Sequence, residues 1–232
     1  MRTAVPLLAL LLAAPARGET VTASPFRFEL PAGWLNLSRG APPENFRGLP
    51  QAVIERARAT AVTALDVAGA GDGFAENLNV VITRCPGRFD DALLEKIVAE
   101  APRSIAREAP GASFQLVERG VTSIGGVNAG RLVYDLTLGA QKLRQLQLHL
   151  PSGRLCAIAT YTATPETFAR YLPIFEASAR ATGGLAEPPE EGFLARILRS
   201  AGRGALIGGI AGGLGALLFG LLRRRKRGAA KE

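Results

Sequence analysis

Few side chains in this chain have the types and spacing that chemistry needs. It holds one histidine, His149, and two cysteines, Cys85 and Cys156. A serine hydrolase would need His149 beside an exposed nucleophile and a carboxylate. Gly-x-Ser-x-Gly is absent, and Ser123 sits in Gly-x-x-Ser-x-Gly, which lacks the elbow spacing. His149 shares its strand face with Gln145 and Gln147, and the alternation predicts a solvated histidine there. Asp90-Asp91 and Glu190-Glu191 are adjacent carboxylates that read as a helix start and a solvated linker. The glycine-rich stretch 69–73 has no Gly-Lys-Ser/Thr and no helix after it, so it reads as a hairpin connection and not a phosphate loop. With a single histidine and no Cys-x-x-Cys there is no zinc pattern. No catalytic residue, cofactor or metal site is expected, and the chain reads as a non-enzyme. Cys85 and Cys156 remain. In an oxidising compartment they invite one disulfide closing a loop of about 70 residues; two buried thiols on separate strands are the alternative.

The elements that would hold these residues can be read from period and punctuation. Phe26 to Leu30 alternates apolar and polar, and Pro31-Ala32-Gly33-Trp34 turns it. Residues 40–50 are a Pro- and Gly-rich loop, 50–59 a short helix and 60–67 a strand. Leu78, Val80 and Ile82 alternate with Asn77, Asn79 and Thr83, the pattern of a half-buried strand. Asp90-Asp91 opens a helix whose stripe is Leu93, Leu94, Ile97, Val98 and Ala101; Pro102 should end or kink it, with Ile105 continuing the stripe to Glu108. Four strands follow, 113–124, 127–138, 141–150 and 154–162, with Gly125-Gly126 as a tight hairpin turn. Leu146, Leu148 and Leu150 share one face of the third, which predicts an antiparallel sheet covered on one side. Thr164 and Pro165 are N-cap and first position of a second firm helix, buried through Phe168, Tyr171, Leu172, Phe175 and Ala179. The fold class is α+β, an antiparallel sheet flanked by helices, followed by one C-terminal transmembrane helix.

Both ends of the chain carry targeting signals. Residues 1–18 read as a signal peptide: Met1-Arg2, an apolar run from Ala4 to Ala14, then Ala14-Pro15-Ala16 as a cleavage site. An uncleaved signal anchor is the alternative. Residues 19–184 form the extracytoplasmic domain. Residues 185–203 are a linker and an amphipathic juxtamembrane segment, in which Phe193, Leu194, Ile197 and Leu198 alternate with Arg196, Arg199 and Arg203. Residues 204–222 are uncharged and long enough to span a hydrocarbon core of roughly 30 Å. Arg223, Arg224, Arg225, Lys226 and Arg227 form a stop-transfer cluster at the head of the basic cytoplasmic tail 223–232. A sorting tail removed after export is the competing reading of this end. Within the span Gly204, Gly208, Gly212, Ala216 and Gly220 recur every four residues, a face through which helices pack closely; glycine is also tolerated in such helices without a packing role.

The formal charge of +8 belongs to the tail, because residues 19–192 carry 17 basic against 19 acidic residues. A slightly acidic globular part argues against nucleic acid, and the basic flank suits anionic headgroups.

Phe28-x-Leu30-Pro31-x-Gly33-Trp34, Glu76-Asn77-Leu78-Asn79-Val80, the helix 90–108, Ile124-Gly125-Gly126 leading to Arg131-Leu132-Val133-Tyr134, and Ala163-Thr164-Pro165-Glu166-x-Phe168 occur in that order. Over residues 24–182 the chain thereby resembles the PsbP-like superfamily, including its bacterial exported members of the DcrB type. The resemblance implies an α/β/α sandwich and a non-enzymatic binding or assembly role. Plant members attach to photosystem II, and some bacterial members bind envelope lipids or serve transport. It supplies no catalytic set, and the segment 40–60 is longer than it implies.

The expectation is a single-pass cell-membrane protein with its bulk periplasmic or exported. It would act as an interaction module docking on an envelope membrane complex, with a membrane-protein partner or self-association through the Gly-rich helix. The alternative is a lipid or small-molecule carrier with a cleft between sheet and helices. A carrier predicts an apolar cavity beside the helix 165–181; a docking module predicts a filled core and an exposed patch, with 40–60 the place to look.

Overall fold

The computed structural model describes residues 18–70 and 73–189, apart from the side chain of Ala52. Residues 1–17 of the signal segment 1–18, Glu190-Glu191, the amphipathic juxtamembrane residues 193–203, the span 204–222 with its glycine face, and the cluster 223–227 lie outside the described residues. Among the described residues no helix is long and apolar enough to cross a membrane.

Among the described residues nine strands and three α-helices follow the order β1 (Thr20–Ala23), β2 (Phe26–Glu29), β3 (Leu35–Asn36), α1 (Gln51–Ala59), β4 (Val62–Leu65), β5 (Asn77–Arg84), α2 (Asp91–Glu108), β6 (Ser113–Ile124), β7 (Val127–Leu138), β8 (Gln141–Ser152), β9 (Leu155–Ala163) and α3 (Pro165–Arg180). β1 and β2 make a small hairpin, and the rest form one antiparallel sheet in the order β3-β4-β5-β9-β8-β7-β6. The Gly125-Gly126 turn has φ of +58° and +81°, both positive as a two-residue hairpin requires. Asp90 caps α2 by accepting from the Leu93 N–H at 2.7 Å, and Thr164 caps α3 by accepting from the Thr167 N–H at 3.3 Å. Pro102 neither ends α2 nor splits it: the helix runs through to Glu108 because Ala101 and Ile105 on either side are buried.

Cross-strand register sorts the side chains by face. Leu78, Tyr161, Leu146 and Val133 stand in one row, and Val80, Ala159 and Leu148 in the next. This face is covered by α3, the β1–β2 hairpin and Trp34. The rows between them are Asn77, Thr162, Gln145 and Tyr134, then Asn79, Thr160, Gln147 and Leu132. α2 covers the β6–β8 side of this second face through Leu94 and Ile97, and α1 covers the β3–β4 side through Ala57 against Leu65. The expectation of one covered face is therefore corrected. Helices lie on both faces, giving an α/β/α sandwich, and Asn77, Asn79, Gln145, Gln147, Thr160 and Thr162 are all buried. Asn, Gln and Thr tolerate this because each can be hydrogen-bonded without bringing a charge inside.

Candidate functional site

The space between α3 and the sheet is where a carried ligand would sit. Tyr161 stacks on Phe175 with ring centroids 5.1 Å apart, and Trp34, Tyr171 and Phe168 lie against the same Phe175 ring at 6.1, 5.8 and 6.2 Å. Phe175 and Tyr161 have no exposed surface. The polar tips are satisfied within the protein. The Tyr161 hydroxyl donates to Ser178 Oγ at 3.1 Å, Ser178 donates to the Glu29 carbonyl at 2.6 Å, and Tyr171 donates to Asp66 Oδ2 at 2.6 Å. Burial, then the Asp66 contact, push the Tyr171 hydroxyl pKa well above the usual phenol range. Beside this cluster, toward the end of α3, a cleft of about 210 Å³ remains between Arg131, Leu146, Leu148, Glu176 and Arg180. It is small for a drug-sized ligand, whose pockets run from about 300 Å³ upward. Its floor is ionic: the Arg131 guanidinium pairs with Glu118 on β6 and, at 3.6 Å, with Glu176 on α3.

On the second face a chain of amides and hydroxyls crosses the sheet. Thr60 and Thr63 share a hydrogen bond, Thr63 donates to Asn79 Oδ1 at 3.2 Å, and Asn79 Nδ2 donates to Asn77 Oδ1 at 2.8 Å. Gln145 Nε2 donates to Thr162 Oγ1 at 3.0 Å, and Gln147 Nε2 reaches both Tyr134 and Thr160 at 3.3 Å. His149 joins this row and is not solvated. It is 1% exposed, its Nε2 lies 3.1 Å from Gln147 Oε1, and its ring packs against Phe89 at 5.6 Å. Burial lowers its pKa to about 4, which keeps it neutral at pH 7.

The other sequence candidates do not converge. Ser123 sits on the outermost strand, two strands from His149, and is exposed. The Asp90 carboxylate is used in capping α2. Among the described residues no group of three or more His, Cys, Asp or Glu could hold a metal ion. Cys85 and Cys156 lie together at one end of the sheet, Cα atoms 4.6 Å apart, and are joined as a disulfide. The segment 40–60 presents no exposed apolar patch: Phe46 and Leu49 fold back on Leu37, Ala57 and Leu65, and Arg58 lies over the Phe46 ring at 5.7 Å.

Sequence reasoning missed a second cleft, of about 400 Å³. It lies between the β1–β2 turn, Arg39, the end of α1 at Arg58 and the β5 residues Val81 and Ile82. Its charged side chains, Arg39 and Arg58, stand nineteen positions apart in sequence with no periodic relation, so nothing local signals their meeting.

A scan against protein-family models and a search of the curated proteins gave no significant match. Solved structures do match. The solution structure of cyanobacterial PsbP, CyanoP, from Synechocystis sp. PCC 6803 superposes with a TM-score of 0.52 at 13% identity, covering 74% of this chain and 94% of that one. LpqN of Mycobacterium tuberculosis, described as involved in cell envelope biogenesis, gives 0.41 at 14% identity, covering 71% and 83%. PA94 of Pseudomonas aeruginosa, a protein of unknown function, gives 0.38 at 22% identity, covering 50% and 75%. An antiparallel sheet of this order between helices, together with the CyanoP superposition over nearly that whole chain, establishes that this protein has a PsbP-like fold.

Proposed function

We propose that this protein is a non-enzymatic, exported, single-pass membrane-anchored module that docks on an envelope membrane complex. The observation that carries this reading is the filled core. The ring cluster around Phe175 occupies the space a carried lipid would need, and under α1 and α2 the amides and hydroxyls of the polar face bond one another, save Gln145 Oε1, which has no partner. What the domain offers outward is surface. The outermost strand, β6, runs twelve residues with an open backbone edge, and Val117, at the register shift between Leu116 and Glu118, and Val121 are exposed on it. Open edges of this kind accept a partner strand. The signal segment 1–18, the span 204–222 and the cluster 223–227 support export and anchoring from sequence, and the motif order supports kinship with DcrB-type exported proteins.

Native mass spectrometry of the full chain released gently from membranes tests this. Protein subunits attached to a lipid-free chain are expected. A stoichiometric lipid on the folded chain, without protein partners, would overturn docking in favour of the carrier, which would require α3 to lift from the sheet.

A further inference from the structure

The two ends of the sheet differ in charge, and the difference coincides with where the chain leaves the domain. After α3, residues 183–187 are stitched to one end. Arg27 N–H donates to the Gly183 carbonyl at 3.1 Å, Ala186 N–H to the Pro151 carbonyl at 3.1 Å, and Asn128 N–H to Glu187 Oε1 at 2.8 Å. The chain then continues past Pro189 toward the basic, apolar sequence 193–222. The turns at this exit end carry Arg39, Arg58, Arg84, Arg88 and Arg154, all exposed. Of the carboxylates there, Asp90 caps α2 and Glu187 holds Asn128 and faces Arg88 at 3.8 Å, while Asp91 at the start of α2 is exposed, so arginines outnumber carboxylates five to three. The turns at the opposite end, 30–34, 66–76, 109–112, 139–140 and 164–166, contain Asp66, Asp72, Glu166 and the buried Glu76 and no arginine or lysine; the exposed Arg107 and Lys142 stand two residues outside them.

The cleft of about 400 Å³ opens at the exit end. Arg39 and Arg58 flank it, Thr22 and Ser24 bring hydroxyl groups to its rim, Val81 and Ile82 give it an apolar floor, and no carboxylate lines it. Two guanidiniums over hydroxyls and an apolar floor suit a phosphate esterified to something greasy.

We propose that this end rests on the membrane. A lipid phosphate sits between Arg39 and Arg58, while Arg84, Arg88 and Arg154 lie against the anionic surface around it. This deepens the membrane-anchored reading and rests on it. The domain would be held upright on its anchor, with the acidic end turned away from the bilayer.

The test uses the full chain in nanodiscs of phosphatidylcholine alone and of phosphatidylcholine mixed with phosphatidylglycerol, with amide exchange as the readout. In the anionic discs, exchange over 22–25, 39–41, 58–61, 84–88 and 152–155 should slow by roughly fivefold or more, as expected where basic residues meet an anionic surface. The effect should vanish in about 1 M salt, where the screening length is about 3 Å. Arg39→Glu combined with Arg58→Glu should abolish it, and Arg170→Glu, near the start of α3 at the other end, should not. If the double variant fails to fold, the lipid and salt comparison on the native chain still decides. Equal exchange in the two discs, or slowing confined to 66–76, would overturn the proposal. A chain that enters neither disc would instead overturn the anchored reading.

Discussion

On one face of the sheet Tyr161, Phe168, Tyr171 and Phe175 pack ring against ring; on the other, Asn77, Asn79, Gln145, Gln147 and His149 lie equally buried in successive rows of amides closed by the one histidine. Both faces exclude water, but they do different things for the fold. The aromatic face gains free energy in proportion to the apolar area removed from water, with little dependence on which atom meets which. The amide face gains little net energy per hydrogen bond, yet it penalises every wrong pairing. A one-residue slip of β8 would bring Gln147 under the Phe175 cluster and Leu148 onto Thr160's row. The comparison assigns stability to the α3 side and register to the α2 side, and each assignment can be broken by substitution.

The largest effect is expected from Phe175→Ala. Phe175 is fully buried and touches four other rings, so its truncation should cost about 4 kcal/mol. Urea denaturation followed by the fluorescence of Trp34, the chain's single tryptophan, measures it. A loss below about 1 kcal/mol would mean that the ring cluster collapses around the gap and is not the main source of stability.

The second effect comes from pH and belongs to the amide face. The folded pKa of His149 is depressed to about 4 from 6.5, so the unfolded chain binds more protons between these values. The stability tied to the neutral ring is present above pH 6.5 and is lost as the pH falls toward 4, about 3 kcal/mol in all. Stability measured from pH 7 to pH 4 should fall accordingly, and His149→Gln should flatten that part of the curve. An unchanged slope in the variant would move the acid sensitivity to other groups.

Gln147→Ala should cost about 2 kcal/mol, because His149, Tyr134 and Thr160 lose a shared partner inside the protein. Its neighbour Leu146 points to the other face, so Leu146→Ala measured beside it compares the two faces at adjacent positions of one strand. If register is the role of the amide row, Gln147→Ala should also broaden the amide spectrum of β8 and β9, whereas Leu146→Ala should lower stability and leave the spectrum sharp.

The sequence made the strands and α3 legible because turn chemistry and period agreed there. Gly125-Gly126 marked a hairpin, Thr164-Pro165 marked a helix start, and the leucines of β8 marked a face. The burial of the other face was hidden, because a strand reading Gln-Leu-Gln-Leu-His-Leu over 145–150 looks the same whether its polar side meets water or a helix. The types were the available signal: amides, hydroxyls and one histidine, where a solvated face would carry lysine or glutamate. The short strands β1 and β3 and the meeting of Arg39 with Arg58 could not be read, since four- and two-residue strands have too little period and a cleft between distant segments leaves no local trace.

The smallest effects separate α2 and α3, one helix from each face. Asp90→Ala and Thr164→Ala each remove one capping acceptor and should each cost about 1 kcal/mol if helix ends behave independently. Their consequences should still differ. α3 is bolted to the sheet by the ring cluster, so its amides should exchange only through global unfolding, and Thr164→Ala should shift them together with those of β9. α2 packs mainly along the outermost strand β6 and contains Pro102, which removes one backbone hydrogen bond from its interior. Losing the Asp90 cap should let the first turn of α2 open separately, raising exchange over 91–97 while the central strands stay protected. Amide exchange on the two variants reads this directly. Equal and global responses would mean that the amide face holds its helix as firmly as the aromatic face does, and the division between stability on one side and register on the other would have to be given up.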